Sequence, residues 1–370
     1  MSGFAAVVAV AVVSVFMPGA TPTTTLRPSE DSATAPGVPH TAPATTTEAG
    51  TTPTTTLAAA PTTSTALATT STAPAPRRSQ PAKTKAATAP ARGRAPSAPA
   101  PPTPAQGAPH VMVVMMENEG YDQIMGSTAM PYTNALAAGY GVATASYGTA
   151  HPSLPNYLEM ISGSTQGVTA DVSPPSPLFT GTTLAGQLSA AGYSTQAYAE
   201  DLPADPTADS GTYVVHHDPW EYFAGTPAVA PATALLGALD GAAAPDFVWF
   251  TPDAVDDGDL TAPQATILAD EDAFLSSFIP SVEATPWYAA GGQIVIEWDE
   301  ALDSDTSGIA GGAGGHALTI VVSSALHGHP VQDAAPVATA GILHSIEKVY
   351  GLPYLGDAAN PAEGNIDPLL

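Results

Sequence analysis

The sequence predicts an α/β domain with a mostly parallel central sheet flanked by helices, preceded by a disordered segment rich in threonine, alanine and proline. Short apolar runs in the second part of the chain end at glycine or polar residues, which is typical of strands buried on both faces. A helical pattern ending in glycine lies between two of these runs. The composition changes at about residue 108, and the 262 residues from 109 to 370 suffice for one domain with a single core.

The first 108 residues are predicted to have no fold of their own. Residues 1–20 contain an apolar run from Gly3 to Met17 that is too short to span a bilayer, as in a signal peptide. No basic residue precedes this run, so an uncleaved anchor is the alternative. Residues 21–108 have too few large apolar side chains to bury a core and are predicted to form a linker or stalk. We therefore expect a secreted or cell-envelope-associated protein.

Four apolar runs are predicted to be parallel strands buried in the sheet. They are Val111–Met116, Asp246–Phe250, Ile294–Trp298 and Leu318–Val322. A helix is predicted over Thr183–Ala191, with Gly192 as its C-terminal cap. The chain has no cysteine, which excludes disulfide bonds and thiolate metal ligands.

Polar residues follow the first and third of these strands directly. Glu117 and Asn118 come after the first strand, and Asp299 and Glu300 come after the third. Ligands of open α/β sheets bind at the carboxyl ends of the strands, and clustered oxygen ligands suit a hard or borderline divalent ion. The alternative for each pair is a solvated loop, because charged residues are mostly exposed.

Ser153 is the candidate nucleophile. Within the segment 149–158, Pro152 fixes the backbone angle for a first helical position and Pro155 fits only in a first helical turn. Ser153 is therefore predicted at a loop-to-helix junction, where backbone N–H groups and the helix dipole favour an anion such as phosphate. The alternative is that its hydroxyl only caps the helix.

Six short motifs between residues 110 and 360 occur in the order found in one known family. They are Met116-Glu117-Asn118 with Tyr121, His151-Pro152-Ser153 with Pro155-Asn156-Tyr157-Leu158, Ala199-Glu200-Asp201-Leu202-Pro203, His217 with Pro219-Trp220, Trp298-Asp299-Glu300, and Tyr350-Gly351-Leu352-Pro353. The chain thus resembles the phosphoesterase family of secreted acid phosphatases and bacterial phospholipases C, and within it the mycobacterial secreted acid phosphatase type. The resemblance implies the alkaline-phosphatase-like α/β fold.

The resemblance also implies a site. It implies a phosphorylated intermediate at Ser153, with His217 as a second catalytic residue near the phosphate. His151 and Asn156 are expected to contact the substrate or to support the residues that do. The expected cofactor is a divalent metal ion, one of Ca, Mg, Mn, Fe or Zn. Its implied ligands are Glu117, Asn118, Asp299 and Glu300.

Several positions depart from the family's pattern. Glu119 stands where the family usually has arginine, and the segment 256–260 replaces a histidine of the family with an acid. The family's C-terminal histidine falls at about Thr339, with His344 further along the chain. Either a second metal half-site has been rebuilt with carboxylates for Ca²⁺ or Mg²⁺, or the site holds one metal ion or none and acts slowly. The weaker candidate ligands are Asp256, Asp257, Asp259 and His316.

The remaining histidines give weaker signals. His216 is predicted to be a surface residue beside the functional His217. His316 follows a glycine-rich segment that lets the backbone approach an ion closely, and a flexible loop is the alternative. His327 and His329 are predicted on the surface, because a His-x-His pair without a third partner is weak support for a metal site.

Charge is distributed very unevenly along the chain. Lys348 is the one lysine or arginine after position 108, where 31 acidic residues give a formal charge of −30 with histidine neutral. Such a domain disfavours nucleic acid and anionic membranes as partners, and must bind phosphate through metal, backbone amides and histidine. Adaptation of the whole surface to salt or low pH is the alternative explanation. The basic cluster Arg77–Arg94 is predicted to contact an acidic cell-envelope polymer or the acidic domain, or to be a solvated linker.

These observations predict a secreted, metal-dependent phosphoesterase that hydrolyses phosphomonoesters through a phosphoserine at Ser153. A phospholipase C-type phosphodiesterase is the alternative within the family. A non-catalytic, envelope-attached binding protein with a decayed site is the alternative from another class, and Asp259 and Thr339 motivate it.

Overall fold

A nine-stranded sheet is the centre of the computed structural model, which describes residues 107–370. The strands lie side by side in the order β4-β3-β5-β1-β6-β7-β2-β8, and β9 also pairs with β2. The seventh strand is antiparallel to its neighbours β6 and β2, and the other pairs are parallel. In sequence order the strands are β1 His110–Met116, β2 Gly141–Tyr147, β3 Thr195–Ala199, β4 Ala230–Pro231, β5 Phe247–Thr251, β6 Gly292–Trp298, β7 His316–Ser323, β8 Val331–Asp333 and β9 Val337–Ala338.

Helices flank this sheet and contribute apolar side chains to one core. The α-helices are α1 Tyr121–Ile124, α2 Pro131–Gly139, α3 Leu154–Ser162, α4 Leu184–Ala191, α5 Leu235–Leu239, α6 Gln264–Glu283, α7 Pro286–Ala289 and α8 Thr339–Val349. Short 3₁₀ helices lie at Val215–His217, Pro219–Tyr222, Ala232–Ala234, Gly356–Ala359, Pro361–Glu363 and Asp367–Leu369. The predicted α/β class with a mostly parallel, helix-flanked sheet is confirmed.

The four predicted strands form, but one runs in the opposite direction. Strands β1, β5 and β6 are adjacent and parallel, and their apolar residues are buried, as is usual for parallel strands. The prediction that Leu318–Val322 is a parallel strand was wrong, since β7 is antiparallel to both neighbours. An apolar run indicates burial and carries no information on strand direction.

The helix after the candidate nucleophile begins at Leu154, and all nine of its residues are buried. Pro155 lies in its first turn, as predicted, whereas Pro152 precedes the helix instead of starting it. Ser153 is the N-cap residue, but its hydroxyl makes no capping hydrogen bond. Gly163 ends the helix in the left-handed conformation with φ of 67°, which glycine adopts without strain.

Several predictions concern residues outside the described range. They are the predictions for the signal-peptide-like segment 1–20, for the basic cluster Arg77–Arg94 and for the linker 21–108, of which only residues 107 and 108 are described. Within residues 107–370, no helix is both long and apolar enough to cross a membrane.

Candidate active site

Three adjacent parallel strands bring the candidate residues to one edge of the sheet. Met116 at the end of β1 pairs with Trp298 at the end of β6, so Glu117 and Asp299 leave the sheet at the same level. The backbone hydrogen bonds continue past the strands, since the Asp299 amide donates to the Met116 carbonyl at 2.9 Å. The Glu117 amide donates to the Asp257 carbonyl at 2.8 Å, which draws the segment after β5 into the same place. This is the edge where ligands of open α/β sheets bind.

Ser153 lies against this edge. Its side-chain oxygen donates to Glu117 Oε2 at 2.8 Å, and the residue is 4% exposed. The hydroxyl is therefore free of a helix-capping role and is directed at a carboxylate. That arrangement places a potential nucleophile beside a proton acceptor.

Glu117 also faces His217, whose ring is 1% exposed. His217 Nε2 lies 3.3 Å from Glu117 Oε1, and Nδ1 lies 2.9 Å from Asp257 Oδ2. Burial lowers the pKa of His217, which favours the neutral ring. A neutral ring that donates Nδ1–H to Asp257 presents the Nε2 lone pair to Glu117. Tyr157 stacks on this ring at 5.3 Å with an interplanar angle of 6° and fixes its orientation.

Asn118 and Asn156 hold the two acidic segments together through their side chains. Asn118 donates through Nδ2 to Glu117 Oε2 at 3.0 Å and to Asp259 Oδ1 at 3.3 Å. Asn156 donates through Nδ2 to Asp299 Oδ2 at 3.3 Å and to Glu300 Oε2 at 3.1 Å. The Asn118 backbone has φ of 58°, a left-handed value that asparagine tolerates better than most residues.

His151 supports the loop that carries Ser153. Its Nε2 lies 2.9 Å from the Asp305 carbonyl, and its Nδ1 lies 3.2 Å from Glu300 Oε2. Of the two roles expected for His151, these contacts favour holding the loop in place over meeting substrate.

The cluster concentrates negative charge where water is excluded. Burial, followed by the charge of Asp299, raises the pKa of Glu117 well above its ordinary value. Burial and then Glu300 raise the pKa of Asp299, and burial and then Asp303 raise that of Glu300. Buried carboxylates this close together require protons or a cation, since uncompensated buried charge is costly.

The donor set fits a divalent metal ion. Among the described residues, Glu117 Oε1 and His217 Nε2 are buried atoms without a hydrogen-bond partner, and they face each other across 3.3 Å. Two acceptors in this position are suitable ligands of one cation. His216, His217 and Asp259 also offer ligand atoms within 4.8 Å of one another.

The structure does not bring every candidate residue to this cluster. Asp256 lies with Glu200 and Asp253 in a separate acidic group. His316 directs Nε2 to the Thr144 carbonyl at 2.9 Å and stacks between Tyr121 and Tyr147. These contacts explain His316 as a structural residue at the start of β7.

The positions that departed from the family's pattern have other contacts. Thr339 is buried at the start of α8. His344 directs Nδ1 to the Ala358 carbonyl at 2.8 Å and stacks on Tyr354. Glu119 accepts a hydrogen bond from Gln264. His327 and His329 are exposed, as predicted.

Two residues at the site were missed by the sequence analysis. His216, predicted as a surface residue, is half-buried: its ring packs edge-on against His217 at 4.5 Å, and burial lowers its pKa to about 4. Asp171 accepts a hydrogen bond from the Leu154 amide at 3.0 Å, in the first turn of α3. The loop that contains Asp171 has no periodic pattern, so the sequence offered no signal for it.

Comparison with known proteins identifies relatives at the level of sequence. A sequence model of the phosphoesterase family matches residues 127–353. A phosphatidylinositol-3-phosphatase from Mycobacterium tuberculosis is 29% identical over 259 residues, which cover 68% of this chain and 80% of that protein.

Solved structures give a more distant likeness. A Bacteroides thetaiotaomicron protein from a core genetic locus for the metabolism of multiple glycosaminoglycans has a TM-score of 0.52 at 13% identity, covering 72% of this chain and 82% of that chain. A protein in the alkaline phosphatase superfamily from Vibrio parahaemolyticus has a TM-score of 0.49 at 13% identity, covering 70% of this chain and 71% of that chain. At such low identity the first of these likenesses supports the fold alone.

The match to the family model extends over more than half of the chain and includes Ser153, His217 and Asp299. This chain belongs to the phosphoesterase family and is a phosphoric ester hydrolase.

Proposed function

We propose that this protein is a metal-dependent phosphomonoesterase of acid-phosphatase type that acts through a phosphorylated Ser153. The observation that carries the proposal is the contact of the Ser153 hydroxyl with Glu117 at 2.8 Å, inside a cluster of buried carboxylates. A serine that serves only as a helix cap would instead bond to a backbone amide of its own helix.

The cation would be held by Glu117, Asn118, Asp299 and Glu300. His217 Nε2 supports this assignment because it faces Glu117 without a proton donor between them. When bound, a divalent ion supplies positive charge that lowers the pKa of the serine hydroxyl and screens the phosphoryl oxygens. Oxygen-rich ligands favour a hard cation such as Ca²⁺ or Mg²⁺, while the histidines admit Mn²⁺, Fe²⁺ or Zn²⁺.

The side chains have distinct parts in the reaction. Ser153 Oγ forms a bond to phosphorus while the ester P–O bond breaks, and the hydroxyl proton passes to Glu117. Asp257 holds the ring of His217, which lies next to the proton acceptor and helps to return a proton to the leaving oxygen. Water then attacks phosphorus and gives a proton to Glu117, the Oγ–P bond breaks, Glu117 returns the proton to Ser153 Oγ, and phosphate leaves. Asn156 and His151 keep the serine loop in position.

A phosphomonoester is the preferred substrate class. The Mycobacterium tuberculosis relative is named a phosphatidylinositol-3-phosphatase, and the 3-phosphate that this name refers to is bound as a phosphomonoester. The absence of arginine after residue 108 means that the phosphate is bound by backbone amides, histidine and the cation. Export from the cell and contact of the basic cluster Arg77–Arg94 with the envelope remain part of the proposal.

An assay with two substrates tests the proposed activity. Purified full-length protein is given p-nitrophenyl phosphate, a monoester, or bis-p-nitrophenyl phosphate, a diester, with and without EDTA. We expect hydrolysis of the monoester, loss of the rate in EDTA and recovery on adding back a divalent cation. A rate unaffected by EDTA would contradict metal dependence, faster diester hydrolysis would indicate the phospholipase C-type alternative, and no hydrolysis with any cation would indicate the binding protein.

A further inference from the structure

Asp171 lies at the N-terminus of α3, the helix that follows Ser153, in a position that an anion would be expected to take. Its Oδ1 accepts a hydrogen bond from the Leu154 amide at 3.0 Å, and Leu154 is the residue directly after Ser153. Its Oδ2 lies 3.9 Å from His216 Nε2. The Asp171 side chain is 10% exposed and the His216 side chain 21% exposed, so both lie at the outer side of the buried cluster.

Both partners of Asp171 are groups that bind phosphate in other proteins. Backbone amides at a helix N-terminus point outward and carry partial positive charge, which attracts anions. With no arginine after residue 108, such amides and the histidines are the donors that this domain offers to a phosphoryl group. The Asp171 carboxylate therefore accepts the Leu154 N–H hydrogen bond that a phosphoryl oxygen could accept, and it lies near His216.

The loop between α3 and α4 holds Asp171 firmly in this position. Tyr222, which is fully buried, donates its hydroxyl to the Val172 carbonyl at 2.6 Å. The Phe179 amide donates to the Tyr222 carbonyl at 2.9 Å, so the same residue anchors the loop at a second point. The backbone beside Asp171 is thus held in place, so that displacement of the carboxylate is a rotation of its side chain.

We propose that Asp171 is a specificity-determining residue that occupies the phosphoryl subsite as an internal anion, which the substrate must displace from the Leu154 amide. Asp171 has this role if Ser153 is the nucleophile, as proposed above. A weakly bound anion such as free phosphate then competes poorly, while a substrate with further contacts of its own displaces the carboxylate. Product inhibition by phosphate is correspondingly weak.

Calorimetric titration of the full-length protein with inorganic phosphate tests this role. The variant Asp171→Asn keeps an oxygen that can accept from Leu154 N–H and removes the negative charge. Asp209→Asn is the matched control, because Asp209 also accepts a backbone amide, from Val215 at 2.9 Å, and acts electrostatically on the same two histidines. The titrations are made in saturating Mg²⁺ and, separately, in EDTA.

We expect Asp171→Asn to bind phosphate at least about tenfold more tightly in both conditions, since a like charge in the subsite is removed. Asp209→Asn should stay within about twofold of the unmodified protein, because Asp209 is exposed and solvent screens its charge. For p-nitrophenyl phosphate, Asp171→Asn should lower KM and largely keep kcat, a split that a merely structural role would not produce.

Two results would overturn the role of Asp171. One is phosphate affinity unchanged in Asp171→Asn although the variant melts like the unmodified protein. The other is weaker Mg²⁺ binding in Asp171→Asn, which would make Asp171 a metal ligand. The activity of Ser153→Ala separates the two proposals: if Ser153→Ala is inactive and phosphate affinity does not respond to Asp171→Asn, only the role of Asp171 fails. If Ser153→Ala stays active, the proposed nucleophile fails.

Discussion

Glu117 connects the reacting groups of the site through its two carboxylate oxygens. Oε2 accepts hydrogen bonds from Ser153 and Asn118, while Oε1 faces His217. Because Asp257 holds the other nitrogen of that ring, a continuous line of polar contacts runs from Asp257 to the candidate nucleophile. The chemistry of the site therefore depends on how negative charge on Glu117 and its neighbours is neutralised.

Asp299→Asn is expected to weaken divalent-ion binding by at least about tenfold and to lower the hydrolysis rate, since a hard cation loses a charged ligand. Isothermal titration with the activating cation measures the first effect and a p-nitrophenyl phosphate assay the second. Asp240→Asn is the control, because Asp240 is exposed and its substitution removes the same charge elsewhere. Equal metal affinity in both variants would show that Asp299 belongs to the scaffold.

Single site residues were predictable from the sequence where they directly follow a predicted strand. Glu117 and Asp299 follow apolar runs, and parallel pairing brings the ends of such runs to one edge. His217 came from the family resemblance and not from any pattern around it. Asp171 and His216 were not predictable as site residues, because long-range contacts of an irregular loop and a 3₁₀ helix position them.

At the scale of elements, helix α3 and the loop before it act as one unit through Asn156. Asn156 Oδ1 accepts from the amides of Thr149 and Ala150, both at 2.9 Å, and Nδ2 donates to the Ala150 carbonyl at 2.9 Å. The same side chain reaches Asp299 and Glu300. The position of Ser153 is therefore fixed from within its own helix.

Asn156→Ala is expected to destabilise the protein by roughly 2–4 kcal/mol, because two half-buried amides lose their acceptor, and to lower kcat as the serine loop shifts. Asn134→Ala is the matched control, since Asn134 also makes three backbone hydrogen bonds, to Gly126, Ile124 and Met130, on helix α2. Urea unfolding should show a loss in both variants, and the assay a loss of kcat in Asn156→Ala alone. Equal kcat in the two variants would contradict the positioning role.

Elements were predictable from the sequence to different extents. Strands β1, β5 and β6 and helix α4 have clear apolar periods, caps or both, and they form close to their predicted bounds. Strand β2, Gly141–Tyr147, has small and hydroxylated side chains that give no strand signal, and its place between β7 and β8 is a tertiary effect. The direction of β7 likewise depends on connections that apolar periodicity does not encode.

At the scale of the whole molecule, negative charge dominates residues 109–370. Lys348 pairs with Asp367, and no other lysine or arginine compensates the 31 acids of this region. Burial raises the pKa of Glu159 to about 7 and that of Glu347 to about 8. A raised pKa means that the folded state binds protons more tightly than the unfolded chain. The stability that Glu159 and Glu347 contribute through proton binding is complete below about pH 4 and is lost as the pH rises through 7 to 8.

The protein without divalent ions should therefore gain melting temperature with added salt and on acidification from about pH 9 to about pH 5. Salt shortens the range of charge repulsion to about the Debye length, which is about 10 Å at 0.1 M ionic strength. Activity should fall on acidification before the fold is lost, because protons displace the cation from its carboxylates. Thermal melts by circular dichroism across salt and pH check this. A melting temperature indifferent to salt, with activity and fold lost at one pH, would contradict the role of charge.

The central claim is that Ser153 is phosphorylated during turnover, and trapping that intermediate tests it most directly. The protein is mixed with p-nitrophenyl phosphate, quenched in acid within the first turnovers, digested and examined by mass spectrometry. We predict the added mass of one phosphoryl group on the peptide that contains Ser153. Ser153→Ala should show no phosphorylated peptide and should lose roughly 10³-fold or more in rate while staying folded. Ser189→Ala, a control on the exposed surface of a helix, should keep the phosphorylated Ser153 peptide and the wild-type rate. Phosphate trapped on a different residue, or wild-type turnover by Ser153→Ala, would contradict the account.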